Sequence, residues 1–111
     1  MVNINGENWR ALLVSPIHPK LMRTDGTYAL GVCDDIDKTI YINNSLPEFK
    51  LKKVLCHELT HAAMFSYNIE LTIEQEEILA DLIATYGQEI VHITNLIFKR
   101  LLEEKINREN Y

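Results

Sequence analysis

The sequence is poor in cysteine and has no long apolar segment, and each shortage excludes a class of protein. Its two cysteines, Cys33 and Cys56, do not form a Cys-x-x-Cys pair. No apolar run approaches the roughly 20 residues of a membrane-spanning helix, and residues 1–8 are polar, with no signal-peptide core. We therefore expect a cytoplasmic protein with free thiols and no contact with a membrane.

Positive charge is also scarce, because 11 Lys and Arg stand against 16 Asp and Glu, for a formal net charge of −5. The one short basic run, Lys50, Lys52 and Lys53, is interpreted as a solvated helix face. Nucleic-acid binding requires clustered Lys and Arg, so no nucleic-acid partner is expected. The hydrophobic fraction of 47% is that of an ordinary folded protein, and we expect a single domain over residues 1–111.

The first part of the chain, up to about residue 44, has the pattern of β-structure. We expect the last two of its three predicted strands to form a hairpin with a long polar turn. The predicted strands cover residues 9–14, 28–32 and 39–42.

The rest of the chain has helical spacing. Ser45 followed by Glu48 predicts a capping box for a first helix that runs to about Ser66. Thr72 and Gln75 predict a second capping box, for a helix that continues to about residue 104 and bends near Gly87. The sequence thus predicts a small α+β domain in which about three antiparallel strands pack on one helix and a second, long helix.

A metal-binding motif lies within the first predicted helix, at His57-Glu58-Leu59-Thr60-His61. Histidines four residues apart lie on the same face of a helix, one turn apart, so both imidazoles can reach one metal ion. Zinc accepts such nitrogen ligands, and Glu58 is placed to take a proton from water at the metal. The pattern His-Glu-x-x-His therefore predicts a zinc site with Glu58 as general base.

A catalytic zinc site needs a third protein ligand, and the second helix offers candidates. Glu74, Glu77 and Asp81 are spaced by three and four residues and so share one face. Acidic residues also favour the first helical turns because of the helix dipole, and this explanation is preferred for Glu74 and Glu76. His92, further along the helix, is an alternative third ligand.

The stretch from residue 28 to residue 84 resembles the ImmA/IrrE-like metallopeptidases of phages and mobile elements. These proteins share a strand pair, a His-Glu-x-x-His helix and a following helix with the pattern Glu-x-x-Ala-Asp/Asn-x-x-Ala. The chain has Glu77-Ile78-Leu79-Ala80-Asp81-Leu82-Ile83-Ala84. The resemblance implies that Glu77 is the third zinc ligand and that Asp81 orients a ligand histidine.

The resemblance also implies a function, a zinc-dependent metallo-endopeptidase that acts on a protein substrate such as a repressor-like regulator. The alternative is a catalytically silent, metal-stabilised binding module of phage or mobile-element origin. The presence of Glu58 favours the enzyme, since a purely structural metal site has no need of a general base. The apolar spacing from Ile90 to Leu102 exceeds what a small core covers, so the last helix could pair in a homodimer.

Overall fold

The computed structural model describes residues 1–109, and its architecture confirms the predicted α+β class. A four-stranded sheet packs against a first helix, and a second helix leads into a third, long one. The strands are β1 (Val2–Ile4), β2 (Glu7–Val14), β3 (Gly31–Asp34) and β4 (Thr39–Asn43). The helices are α1 (Glu48–Ser66), α2 (Ile73–Leu82) and α3 (Gln88–Glu109).

The sheet is mixed, which differs from the expected antiparallel arrangement. Its strand order is β1-β2-β4-β3, and β2 pairs with β4 in parallel. The predicted hairpin is confirmed, because β3 and β4 are antiparallel neighbours. The strand predicted over residues 28–32 begins later, at Gly31, since Tyr28 forms only an isolated bridge with Met22. This order leaves β3 at one edge of the sheet, beside α1.

The core lies between α1 and the sheet. Trp9 and Ile40 are buried with Ala62 of α1 at its centre. The indole Nε1 of Trp9 donates a hydrogen bond of 2.8 Å to Ser66 Oγ, which satisfies the polar atom of a fully buried side chain. These contacts hold one face of α1 against the sheet, so the opposite face of α1 points away from the sheet.

The two predicted helix starts have different outcomes. Thr72 and Gln75 form the predicted capping box, with hydrogen bonds of 3.1 and 3.2 Å. The Ser45 cap is wrong, because Pro47 is the residue before the helix and Ser45 Oγ donates to Asn43 Oδ1 instead.

The second helix continues into the third without a break in the chain of helical turns. Residues Ile83–Gly87 form one π-helical turn between α2 and α3. Every residue of α3 is exposed, and the molecule is 67 Å long. Over residues 1–109, no helix combines the length and the apolarity that crossing a bilayer would require.

Candidate metal centre

The two histidines of α1 converge on one point. His57 and His61 lie one turn apart, and their Nε2 atoms are 3.2 Å from each other. Both side chains are mostly buried at the boundary between α1 and α2, with 20% and 12% of their surfaces exposed. The helical spacing predicted from the sequence therefore brings both imidazoles together.

Glu77 of α2 places its carboxylate against both of these nitrogen atoms. Its Oε1 lies 3.0 Å from His61 Nε2, and its Oε2 lies 3.2 Å from His57 Nε2. Ligand atoms 2.0–2.1 Å from a tetrahedral zinc ion are separated by about 3.3 Å, so the distance between the two nitrogens and the distance from each nitrogen to its nearest Glu77 oxygen are suitable. These three residues form the metal-binding cluster found among the described residues.

Two more carboxylates hold the outer edges of the imidazole rings. Glu76 Oε1 accepts a hydrogen bond of 2.6 Å from His61 Nδ1, and Asp81 Oδ1 lies 2.9 Å from His57 Nδ1, within ion-pair distance. With the protons on Nδ1, both Nε2 lone pairs face the Glu77 carboxylate. The two Nε2 lone pairs and the Glu77 oxygens repel each other at these distances unless a cation lies between them. This set of ligand atoms therefore fits a divalent metal.

The contact of Glu76 with His61 was not expected from the sequence. The helix dipole was the preferred explanation for this residue, but its carboxylate is directed at the histidine and is only 21% exposed. The His-Glu-x-x-His motif did carry a signal for such a contact. A histidine that binds a metal through Nε2 usually donates its Nδ1 proton to an acceptor, so two ligand histidines predict two acceptors. Glu74, which shares a helix face with Glu77 in the sequence, is exposed and lies outside the cluster.

His92 also lies away from the centre. It lines a different, apolar cavity with Ile83, Gly87 and Val91, beside the start of α3. The π-helical turn at Ile83–Gly87 does not bring α3 back toward the histidines of α1. The structure therefore brings Glu77, and not His92, to the two histidines.

Glu58 is a buried carboxyl next to the cluster. Burial raises the pKa of Glu58 above its ordinary value, although positive charge on His61 and His57 would lower it. Gly31 of β3 allows this arrangement, because a Cβ there would lie 2.7 Å from Val54 Cγ1 and 3.1 Å from Glu58 Cγ. The edge strand therefore passes directly over the general-base candidate.

An open cleft runs over the cluster and gives access to it. Its walls include Gly31 and Cys33 of β3, Phe65 of α1 and Ile73 of α2. Burial and the neighbouring Glu58 raise the pKa of the Cys33 thiol to about 12, and Cys33 is not part of the cluster of His57, His61 and Glu77. A substrate in this cleft would lie against His57, His61 and Glu58.

The comparisons with known proteins agree with this geometry. A family model described as Peptidase_M78, IrrE N-terminal-like domain, matches residues 16–97, which include both histidines, Glu58, Glu77 and Asp81. Comparison with curated proteins and with solved structures gave no match. Since the family model covers most of the chain, the resemblance seen in the sequence is confirmed, and the chain belongs to the Peptidase_M78 family of IrrE N-terminal-like domains.

Proposed function

We propose that the protein is a zinc-dependent endopeptidase that hydrolyses peptide bonds of a protein substrate. His57, His61 and Glu77 would hold the zinc, and Glu58 would act as general base. The observation that carries this proposal is the pair of histidine Nε2 atoms 3.2 Å apart, each 3.0–3.2 Å from an oxygen of the Glu77 carboxylate, beside a buried carboxyl in an open cleft. We extend the proposal to residues 1–111 as one functional domain.

The chemistry requires proton transfer by Glu58. A zinc ion held by His57, His61 and Glu77 would supply Lewis acidity toward water and the scissile carbonyl. Glu58 accepts the proton of the attacking water and then donates it to the leaving amine as the C–N bond breaks. A carboxyl whose pKa is raised by burial suits both steps, because it binds the proton more firmly than an exposed one.

The outer carboxylates have a positioning role in this proposal. Asp81 and Glu76 would keep the protons on the Nδ1 atoms of His57 and His61, so that both Nε2 atoms stay available to the metal. They would also fix the ring orientations, since each ring is then held on both edges.

A metal-stabilised binding module without turnover is the alternative. Glu58 and the open cleft speak against it, because a structural zinc site is closed by four protein ligands. The described part of the chain offers three in the cluster. A repressor-like substrate and a phage or mobile-element origin are part of the proposal and are supported by the sequence resemblance. A cytoplasmic location is also part of it and is supported by the two free thiols.

Glu58→Gln tests the proposal directly. The zinc-loaded variant should retain the metal, since Glu58 is not a ligand, and should lose peptidase activity on an unfolded protein substrate followed by mass spectrometry. His57→Ala, which should lose the metal itself, is the matched control for inactivation by another route. A variant Glu58→Gln that cleaves at the wild-type rate would remove Glu58 from the mechanism.

A further inference from the structure

The cleft over the metal centre changes character from one end of α1 to the other. Beyond His61, toward the C-terminus of α1, its wall is apolar and includes Phe65 and Ile73. Before His57, toward the N-terminus, it is lined by Lys50 and Lys53 of α1 and by Asp81 of α2, which already contacts His57. A bound peptide chain would meet positive charge on one side of the metal and apolar surface on the other.

The positive charges at this end have no partners within residues 1–109. Lys20 and Lys38 each pair with acidic side chains, whereas Lys50 and Lys53 form no ion pair with the described residues. Both lysines also lie in the first two turns of α1, where the positive end of the helix dipole disfavours cations. Arg23, which lines both parts of the cleft, adds a third such charge. An anionic ligand in the cleft would offset this unfavourable placement.

The spacing of the lysines fits an extended peptide. Lys53 precedes His57 by four residues and Lys50 by seven, which places them about 6 and 10 Å before it along the helix axis. An extended chain advances about 3.3 Å per residue, so the two ammonium groups are level with peptide residues about two and three positions from the metal. Lys52 lies about 140° around the helix from His57 and does not line the cleft.

We propose that the cleft selects peptides with an acidic side chain two or three residues from the scissile bond, on the Lys50 and Lys53 side. An apolar side chain would occupy the Phe65 side. This specificity rests on the proposed peptidase function, and it names the substrate class of that site.

A combinatorial peptide library, digested by the zinc-loaded protein and read by mass spectrometry, tests the proposal. Cleaved peptides should be enriched in Asp and Glu two or three residues from the cut on one side only. For a matched pair of peptides with Glu or Gln at that position, kcat/KM should favour Glu by about 3- to 10-fold, the range that exposed ion pairs provide. The preference should shrink as salt is added.

Variants of the lysines test whether the preference depends on the two that line the cleft, Lys50 and Lys53, and not on Lys52. Lys50→Gln combined with Lys53→Gln should remove the preference, and Lys52→Gln should leave it intact. Cleavage without charge preference would overturn the specificity and leave the peptidase function standing. If no peptide is cleaved, the peptidase function fails instead, and equal affinity of labelled Glu and Gln peptides for the zinc-loaded protein would overturn the acid-binding site as well.

A second, independent observation concerns the exposed helix α3. Seven of its large apolar side chains lie within one half of the helix circumference and are 44–61% exposed: Ile90, Val91, Ile93, Ile97, Phe98, Leu101 and Leu102. A contiguous apolar surface of this kind is unusual on a monomer and marks an interaction site. We call these seven residues the α3 face.

Charges at the border of the α3 face indicate what covers it. Glu89 and Arg100 are eleven residues apart, about three helical turns, and so lie along the same border. In an antiparallel pair of α3 helices centred near Asn95, Glu89 of each copy lies within one residue of Arg100 of the second copy. The same centre sets Ile93 level with Ile97 of the second copy. A parallel pair would instead oppose like charges.

We propose that two copies of this chain associate through the α3 face as an antiparallel helix pair. Sedimentation equilibrium of the full chain should show a dimer. Ile97→Glu should shift it to monomer, whereas Leu96→Glu should not, because Leu96 is 53% exposed but lies on the other side of α3.

Charge reversal tests the antiparallel direction. Arg100→Glu should weaken association by about 3- to 10-fold, and the double variant with Glu89→Arg should recover it. A monomeric wild-type chain, or equal disruption by Leu96→Glu and Ile97→Glu, would overturn the proposal. Failure of the double variant to recover association would overturn the antiparallel arrangement.

Discussion

Replacing Glu76 with alanine should weaken zinc binding more than replacing Asp81, although both carboxylates contact a histidine of the metal centre. Glu76 Oε1 accepts a hydrogen bond of 2.6 Å from His61 Nδ1, whereas Asp81 Oδ1 lies 2.9 Å from His57 Nδ1 as an ion-pair contact. The side chains differ most in exposure, at 21% for Glu76 and 72% for Asp81. Water can replace the exposed partner more easily than the shielded one.

The magnitude follows from what such partners contribute to other metal sites. Loss of a carboxylate that orients a ligand histidine typically lowers metal affinity by about 10- to 100-fold, or about 1.4–2.7 kcal/mol. We expect Glu76→Ala to fall within this range and Asp81→Ala to fall below about 10-fold, because solvent screens its contact. Glu76→Gln should be intermediate, since the amide oxygen still accepts the hydrogen bond but carries no charge.

The assay is competition for zinc with a chelating dye at fixed pH, on variants whose circular dichroism matches that of the wild type. Glu74→Ala is the matched control, because it removes an exposed carboxylate from the same helix at a position outside the cluster. An Asp81→Ala variant that loses more affinity than Glu76→Ala would refute the reasoning from exposure. Equal losses in Glu74→Ala and Glu76→Ala would refute the contact with His61.

Three further predictions concern the metal, the close approach of β3 to α1 and the half-buried thiol of Cys33. Purified protein should carry about one zinc per chain by metal analysis, and His61→Ala should lose it, so full retention would contradict the site. Gly31→Ala should lower the free energy of unfolding by about 1–3 kcal/mol in urea titrations, because its Cβ would lie 2.7 Å from Val54 Cγ1. An unchanged denaturation midpoint would show that this contact relaxes freely. Cys33, with a pKa of about 12, should react slowly with iodoacetamide at pH 8 in the folded protein and rapidly in urea, so rapid labelling of the folded chain would contradict its burial.

The elements that local rules determine were predictable from the sequence. The capping box at Thr72 and the four-residue spacing of His57 and His61 depend on neighbours in the chain, and the structure has both. The Ser45 cap also satisfied the pattern, but Pro47, in extended conformation, delays the start of α1 to Glu48. Two overlapping local signals competed there, and the conformation of the proline decided the outcome.

The sheet was less predictable, because its pairing depends on distant residues. The short strand β1 has only three residues, too few for a periodic pattern. Its turn did carry a signal, since Asn5-Gly6 is a pair typical of two-residue hairpins, and both residues have positive φ, 47° and 85°. The parallel pairing of β2 with β4 left no comparable mark, because parallel neighbours are joined by a long connection, here residues 15–38, and not by a short turn.

The site shows the same division between local and distant determinants. The sequence placed Glu77 and Asp81 on one face of a helix, but Glu76, which is offset by about 100° from Glu77, could not also belong to that face. The histidine rings resolve this conflict, because each ring has two nitrogen atoms on different edges. Glu77 meets the Nε2 edges, and Glu76 reaches around to the Nδ1 edge of His61. Adjacent carboxylates on one helix thus reach different edges of the two histidine rings, and which residue reaches which edge depends on the rotation of α2 against α1, a tertiary property that periodicity does not encode.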